Sequence, residues 1–214
     1  MEFICGIDEA GRGPVMGPMV IAGVKINKSK EKELKELGIK DSKKIQPKKR
    51  EELYEKIISI VDDYSIIKLS PYQIDESLSL PDMNLNWLEA VTTIKILEKL
   101  NVKIAYIDCP TSNASKYYNY LTSRLKKDME LVVEHKADEK YIASSAASIL
   151  AKVERDKEIK KLKEIYGDIG SGYPSDEKTK IFLSKNTELP IFRKSWSTWQ
   201  KAKEQTKQQS LKGF

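Results

Sequence analysis

Three short apolar runs, far apart in the chain, each lead into an aspartate. Phe3-Ile-Cys-Gly-Ile7 stops at Asp8-Glu9, Ile104-Ala-Tyr-Ile107 stops at Asp108, and Leu131-Val-Val133 leads on to Asp138. Runs of this length and composition read as buried strands. Beyond residue 84 they alternate with helix-spaced segments, and that alternation implies parallel pairing with helices packed on the faces of a sheet. The first run is followed by the turn-rich GRGPVMGP and a second run, Met19 to Ile26, so these two are expected to be antiparallel neighbours. The expected class is α/β, a mixed sheet flanked by helices.

The intervening segments fit that plan. Ser29 to Leu37 is a short charged helix candidate, and Pro47 opens a helix with Leu53, Ile57, Ile58 and Val61 on one face, which leaves Asp41-Ser-Lys-Lys44 as a loop. Tyr64 to Leu69 reads as a third strand and Asn84 to Leu100 as a helix. Ser112-Asn113 caps a helix carrying Tyr117, Tyr118, Leu121 and Leu125. A long helix is expected from about Glu139 to Ile165, ended by Gly167 and Gly170-Ser-Gly172. Asp176 to Ser184 and Trp196 to Gln205 are read as a C-terminal helical appendage rather than a second core.

No apolar stretch reaches the roughly 20 residues that cross a bilayer, and the opening MEFICGID lacks a basic segment followed by an apolar one. With two cysteines there is no disulfide framework, and a cytoplasmic location is the expectation. The net charge of +6 favours polyanionic partners. From Lys194 onward there are five lysines against the single acid Glu204. A solvated lysine-rich face is the other reading of that charge, and charge alone does not separate the two.

In open α/β sheets, ligands collect at the carboxyl ends of strands. If the strands ending at Asp8 and Asp108 are adjacent, roughly 4.8 Å apart, their carboxylates share a cation. Glu9 extends the first set, and Asp138 reaches in from the start of the long helix. Such convergence raises carboxylate pKa values unless a cation offsets the repulsion. Oxygen donors without paired His or Cys select Mg²⁺ or Mn²⁺, and two ions on the order of 3.5 to 4 Å apart suit in-line phosphoryl displacement. Aspartates at strand ends also serve as turn formers and helix caps, so spacing alone leaves both roles open.

Five separated blocks carry a more specific signal: GIDEAGRGPVMGP at 6–18, DSKK at 41–44, YIDCP at 106–110, HKADEKYIASSAASILAKVERD at 135–156, and GSGYPSD at 170–176. Together, and in this order, they resemble ribonuclease HII, the type 2 ribonuclease H, in its archaeal form. The resemblance implies a ribonuclease H-like fold, with a mixed five-stranded sheet flanked by helices and a C-terminal helical appendage. It divides the chain into a catalytic domain over 1–172, a substrate-clamping region over 173–207 and a tail over 208–214. It assigns metal ligation and catalysis to Asp8, Glu9, Asp108 and Asp138, with two Mg²⁺ or Mn²⁺ ions. The implied reaction is hydrolysis of the phosphodiester 5′ of a ribonucleotide, in an RNA/DNA hybrid or embedded in duplex DNA, leaving 3′-hydroxyl and 5′-phosphate. Backbone groups of Gly11, Arg12 and Gly13 would read the ribose 2′-hydroxyl, Tyr173 would stack at the junction with DNA, and Lys43 would contact a phosphate. The expected protein is a monomer that acts in replication-associated repair and has no membrane partner. A ribonuclease HIII-like enzyme and a non-catalytic nucleic-acid-binding module on the same fold are the alternatives.

At the C-terminus Gln208, Leu211 and Phe214 stand at i, i+3 and i+6. This is similar to the peptide that binds DNA sliding clamps, with one aromatic where two are usual, and a frayed tail is the other reading. The glycines at 11, 13 and 17 have the wrong spacing for a dinucleotide fingerprint. His135, the only histidine, is expected to support structure or a neighbouring ligand. Cys5 and Cys109 are expected to be reduced and buried, and Trp196 and Trp199 to pack a helix onto a core rather than stack on a base.

Overall fold

The computed structural model describes residues 2–39 and 45–212, of which 209–212 by backbone alone. Its strands are β1 (Phe3–Ala10), β2 (Met19–Asn27), β3 (Asp63–Leu69), β4 (Ile104–Asp108) and β5 (Glu130–Glu134). They form one sheet in the order β3-β2-β1-β4-β5. β1 runs antiparallel to β2 and parallel to β4, which in turn is parallel to β5. The mixed sheet expected from the sequence is therefore present, with β1 at its centre and buried along nearly its whole length.

The helices are α1 (Glu31–Glu36), α2 (Pro47–Ile60), α3 (Pro71–Leu78), α4 (Leu85–Leu100), α5 (Ala114–Thr122), α6 (Ala137–Lys140), α7 (Ile142–Tyr166), α8 (Glu177–Lys185) and α9 (Ser197–Lys212). Local signals start and stop them. Asn84 and Asn113 accept the N–H groups of Trp87 and Lys116 and open α4 and α5. Asn101, at φ +49°, closes α4 in the left-handed conformation.

Contacts divide the chain into two units. The first holds Met1–Ala10, Val20–Lys68 and Asn84–Glu154, and the second Gly11–Met19, Leu69–Met83 and Arg155–Phe214. In the first unit, glycines show which helix lies on which face. A Cβ on Gly6 would meet the Ala143 carbonyl carbon at 2.0 Å and the Ser144 nitrogen at 2.1 Å, so the α7 backbone lies directly on β1. A Cβ on Gly23 would meet Ile96 of α4 at 2.3 Å and Ile7 at 2.8 Å. Gly6 and Ile7 are consecutive and so face opposite sides of the sheet; α7 covers one side and α4 the other. The second unit has its own core of Val15, Met16, Ile169, Leu183, Ile191 and Phe192, with Trp196 and Trp199 packed against it, where the sequence reading expected helices without a second core. The tryptophan indoles donate to Gly13 and Thr187 carbonyls, at 3.3 and 2.9 Å. Both act in packing, as expected.

Four features depart from the expectations. β1 continues through Asp8 and Glu9 to Ala10, because β2 pairs with it that far, opposing Asp8 to Ala22 and Glu9 to Ile21; Asp8 is not the strand's last residue. The segment before the long helix forms the separate turn α6, and the chain is extended at Tyr141 before α7 begins. α9 runs to Lys212, beyond the expected Gln205. Finally, α3 lacks a counterpart in the sequence reading, although Ser70 and Gln73 form a complete capping box with Pro71 at the first position. No helix among the described residues is long and apolar enough to cross a membrane.

Candidate functional site

The first unit gathers the acids. Parallel pairing of Ile7 with Ile107 brings the next residues, Asp8 and Asp108, level on adjacent strands. Asp8 shares the α7 side of the sheet with Gly6, whereas Glu9 shares the α4 side with Ile7. Asp8 Oδ1 accepts the main-chain N–H of Glu9 at 2.8 Å. One ligand atom each from Asp8, Glu9 and Asp108 lies within 4.8 Å of the others. Asp108 Oδ1 accepts the N–H of Ala137 at 2.8 Å, which ties this strand end to α6 and to its next residue, Asp138. Asp138 is 3% exposed, and its carbonyl accepts the Ser145 hydroxyl. It stands outside the group of three at that distance limit and acts on Asp8 through its charge.

Burial pushes the Asp8 carboxyl from 3.8 up to about 6. The charges of Asp108 and Asp138 push the same way, and Lys152 and the Ser148 hydroxyl, one turn apart on α7, pull it down. Burial, with the two acids adding to it, therefore outweighs the pull of Lys152 and Ser148, and a divalent ion would offset the buried negative charge. Carboxylate oxygens, with no histidine or thiolate among them, fit a hard divalent cation. The residues present thus suit the metal centre expected from the sequence.

The sequence reading passed over two contributors to this unit. Glu89 of α4, 2% exposed, lines one recess with Asp8, Glu9, Asp108, Thr93 and Tyr117. Its signal was legible, since an acid at this point falls at helical spacing with Thr92, Thr93 and Ile96 in a helix expected to face a core. Lys152, the cation acting on Asp8, gave no such signal in a helix rich in lysine. His135 Nδ1 lies 3.3 Å from the Cys109 carbonyl and supports the loop after β4. Cys5 and Cys109 are free and buried, and burial pushes the Cys5 thiol up to about 12.

The second unit holds Gly11, Arg12, Gly13 and Tyr173. Arg193, fully buried, donates to three carbonyls: Nε to Gly17 at 3.0 Å, one terminal nitrogen to Arg12 at 2.9 Å and the other to Gly11 at 2.7 Å. Sequence reasoning missed it. Because there are no cis bonds among the described residues and trans peptides place N–H opposite C=O, the N–H groups of Arg12 and Gly13 point away from that guanidinium. Gly11 sits at φ +78°, and a Cβ there would lie 2.8 Å from the Pro18 carbonyl. The Tyr173 ring, 42% exposed, lies 3.6 Å from where a Gly13 Cβ would stand, with the Arg155 guanidinium 5.4 Å from the ring centre. Gln208 is exposed on α9, and Leu211 is described only as helical backbone. Lys43 and Phe214 lie outside the described residues.

The family model described as Ribonuclease HII matches residues 5–199. A ribonuclease HII from Thermococcus sibiricus is 50% identical over 206 residues, covering 93% of this chain and 90% of the relative. The solved ribonuclease H2 from Pyrococcus horikoshii OT3 superposes with a TM-score of 0.89 at 40% identity, over 96% of this chain and 99% of that one. A solved PCNA:RNase HII complex from Archaeoglobus fulgidus gives a TM-score of 0.79 at 42% identity, with 85% of each chain covered. The ribonuclease HIII and non-catalytic alternatives are not favoured by this match and the gathered acids. With the matched residues running from the central strand into the last helix, the chain belongs to the ribonuclease HII family and is an endoribonuclease.

Proposed function

We propose that the chain cleaves the phosphodiester on the 5′ side of a ribonucleotide, in an RNA/DNA hybrid or within duplex DNA, leaving 3′-hydroxyl and 5′-phosphate. The observation that carries this reading is the convergence of Asp8, Glu9 and Asp108 within 4.8 Å in a chain of this family. Asp8, Glu9, Asp108 and Asp138 hold the metal and form the catalytic set. Two Mg²⁺ or Mn²⁺ ions, when bound, supply an activated water and stabilise the leaving oxygen. Asp8, two residues before the end of β1, and Asp108, the last residue of β4, orient the centre, and α6, tied to Asp108, presents Asp138. The outward N–H groups of Arg12 and Gly13 suit a ribose hydroxyl approached without side-chain obstruction at Gly11 and Gly13. Tyr173, backed by Gly13, suits stacking at the junction, and Lys43 a phosphate.

On this reading residues 1–172 form the catalytic domain, 173–207 the substrate clamp and 208–214 a tail. The relative solved with PCNA supports a sliding-clamp partner, and on this reading the tail would engage it through Gln208, Leu211 and Phe214. We take the protein to be a cytoplasmic monomer serving replication-associated ribonucleotide excision. The deciding experiment incubates it with a labelled DNA duplex holding one ribonucleotide, with and without Mg²⁺ or Mn²⁺. The expected product is a metal-dependent cut on the 5′ side of the ribose with a 3′-hydroxyl. Cleavage 3′ of the ribonucleotide, or cleavage in chelator, would overturn the proposal.

A further inference from the structure

Between Asp108 and Asp128 the chain carries Lys116, Arg124, Lys126 and Lys127 and no acid. The structure orders part of this charge. Lys116, Tyr117, Tyr120 and Arg124 follow the i, i+4 and i, i+3 spacing that puts residues on one side of a helix, here continuing from α5 just past its end. Trp87, from the first turn of α4, packs against that side. Its ring stacks on Tyr120 with centroids 4.2 Å apart and planes 8° apart, and lies 6.5 Å and 15° from Tyr117. Arg124 sits 3.7 Å over the outer ring, Tyr120, and Lys116 5.6 Å over Trp87. At the inner end, Tyr117 lines the recess that holds Asp8, Glu9, Glu89 and Asp108. An aromatic column thus runs from the acidic recess to the surface and carries two exposed cations.

Among the described residues neither Lys116 nor Arg124 has a carboxylate partner. They are held by rings, which fix their position without offsetting their charge. Stacked aromatics interleaved with uncompensated cations are the composition of a surface that tracks a sugar-phosphate backbone. The eight residue steps from Lys116 to Arg124 span about 12 Å along a helix, or about three to four nucleotide steps at 3.4 Å each.

We propose that Lys116 and Arg124, positioned by Trp87 and Tyr120, bind backbone phosphates of the duplex beside the acidic recess. This rests on the cleavage reading above and adds a substrate-holding surface to it. The test is steady-state cleavage of the single-ribonucleotide duplex at several NaCl concentrations by wild type, K116Q/R124Q, the conservative K116R/R124K and the charge-matched control K32Q/K56Q. In K116Q/R124Q the KM is expected to rise about 10-fold at 0.15 M salt with kcat within about twofold. The slope of log KM against log salt should fall by about 1.8, at about 0.9 per phosphate contact. K116R/R124K should restore both values, and the control should leave the slope unchanged. Y120L, which keeps all charges, should raise KM about two- to threefold. An unchanged slope in K116Q/R124Q, or an equal fall in the control, overturns the surface while leaving the cleavage reading intact. Failure of wild type to cut this duplex overturns the reading itself.

Discussion

Replacing Asp8 by Asn separates what the acidic cluster costs the fold from what it contributes to chemistry. In the folded, metal-free protein the Asp8 carboxyl is raised from 3.8 to about 6. A group whose pKa is higher folded than unfolded favours the fold below the lower value and loses that contribution as pH rises through the higher one. The window is therefore about pH 4 to 6. A shift of about 2 units at 1.36 kcal/mol each amounts to about 3 kcal/mol, fully lost above pH 6. Asn keeps the oxygen that accepts the Glu9 N–H and carries no charge. Urea unfolding of both proteins in chelator, followed by circular dichroism at pH 4, 5, 6 and 7, should show near-equal stability at pH 4 and D8N ahead by up to about 3 kcal/mol at pH 7. Adding Mg²⁺ at pH 7 should stabilise wild type and leave D8N nearly unchanged, while D8N lacks cleavage throughout. A difference between the two proteins that is constant across pH would refute the reasoning, because it would mean that burial and repulsion do not act on Asp8.

Asp108→Asn should abolish cleavage and keep the fold, because Asn retains an acceptor for the Ala137 N–H, whereas Asp108→Ala should lose about 1 kcal/mol more in the same unfolding assay. Arg193→Met leaves two buried carbonyls and one partly buried carbonyl without their donor and should destabilise by about 3 kcal/mol; thermal unfolding would expose a smaller effect. Tyr173→Ala should slow incision at one embedded ribonucleotide while retaining binding to plain duplex in an anisotropy assay; equal loss in both would point to misfolding. Deleting 208–214 should spare cleavage of free oligonucleotides and remove capture by the sliding clamp, and retained capture would refute the assignment of the tail.

Legibility in the sequence followed the reach of the forces involved. The strands declared themselves because buried parallel strands must be apolar almost without interruption, and the aspartates after them were visible as the points where that apolarity stops. β1 extends beyond Ile7 because β2 supplies backbone partners for Asp8 and Glu9, a pairing that side-chain polarity does not report. α3 buries only Ile74, too little for an apolar stripe; its Ser-Pro-Tyr-Gln start was readable from capping chemistry instead. Arg193 could not be found by pattern, since its partners are main-chain oxygens of residues far away in sequence. Glu89 could, because an acid on the core-facing side of a helix has to be accommodated by something specific.

The seat of Gly6 on the α7 main chain has a consequence for heat. Contacts made through long side chains soften on warming as more rotamers become populated, but a Cα resting against peptide groups has no torsion to release. The strand bearing Asp8 and Glu9 is thus held from its covering helix at this point by direct main-chain van der Waals contact. Nor is there an innocuous exchange at this position, since every other amino acid brings a carbon where Ala143 and Ser144 already stand.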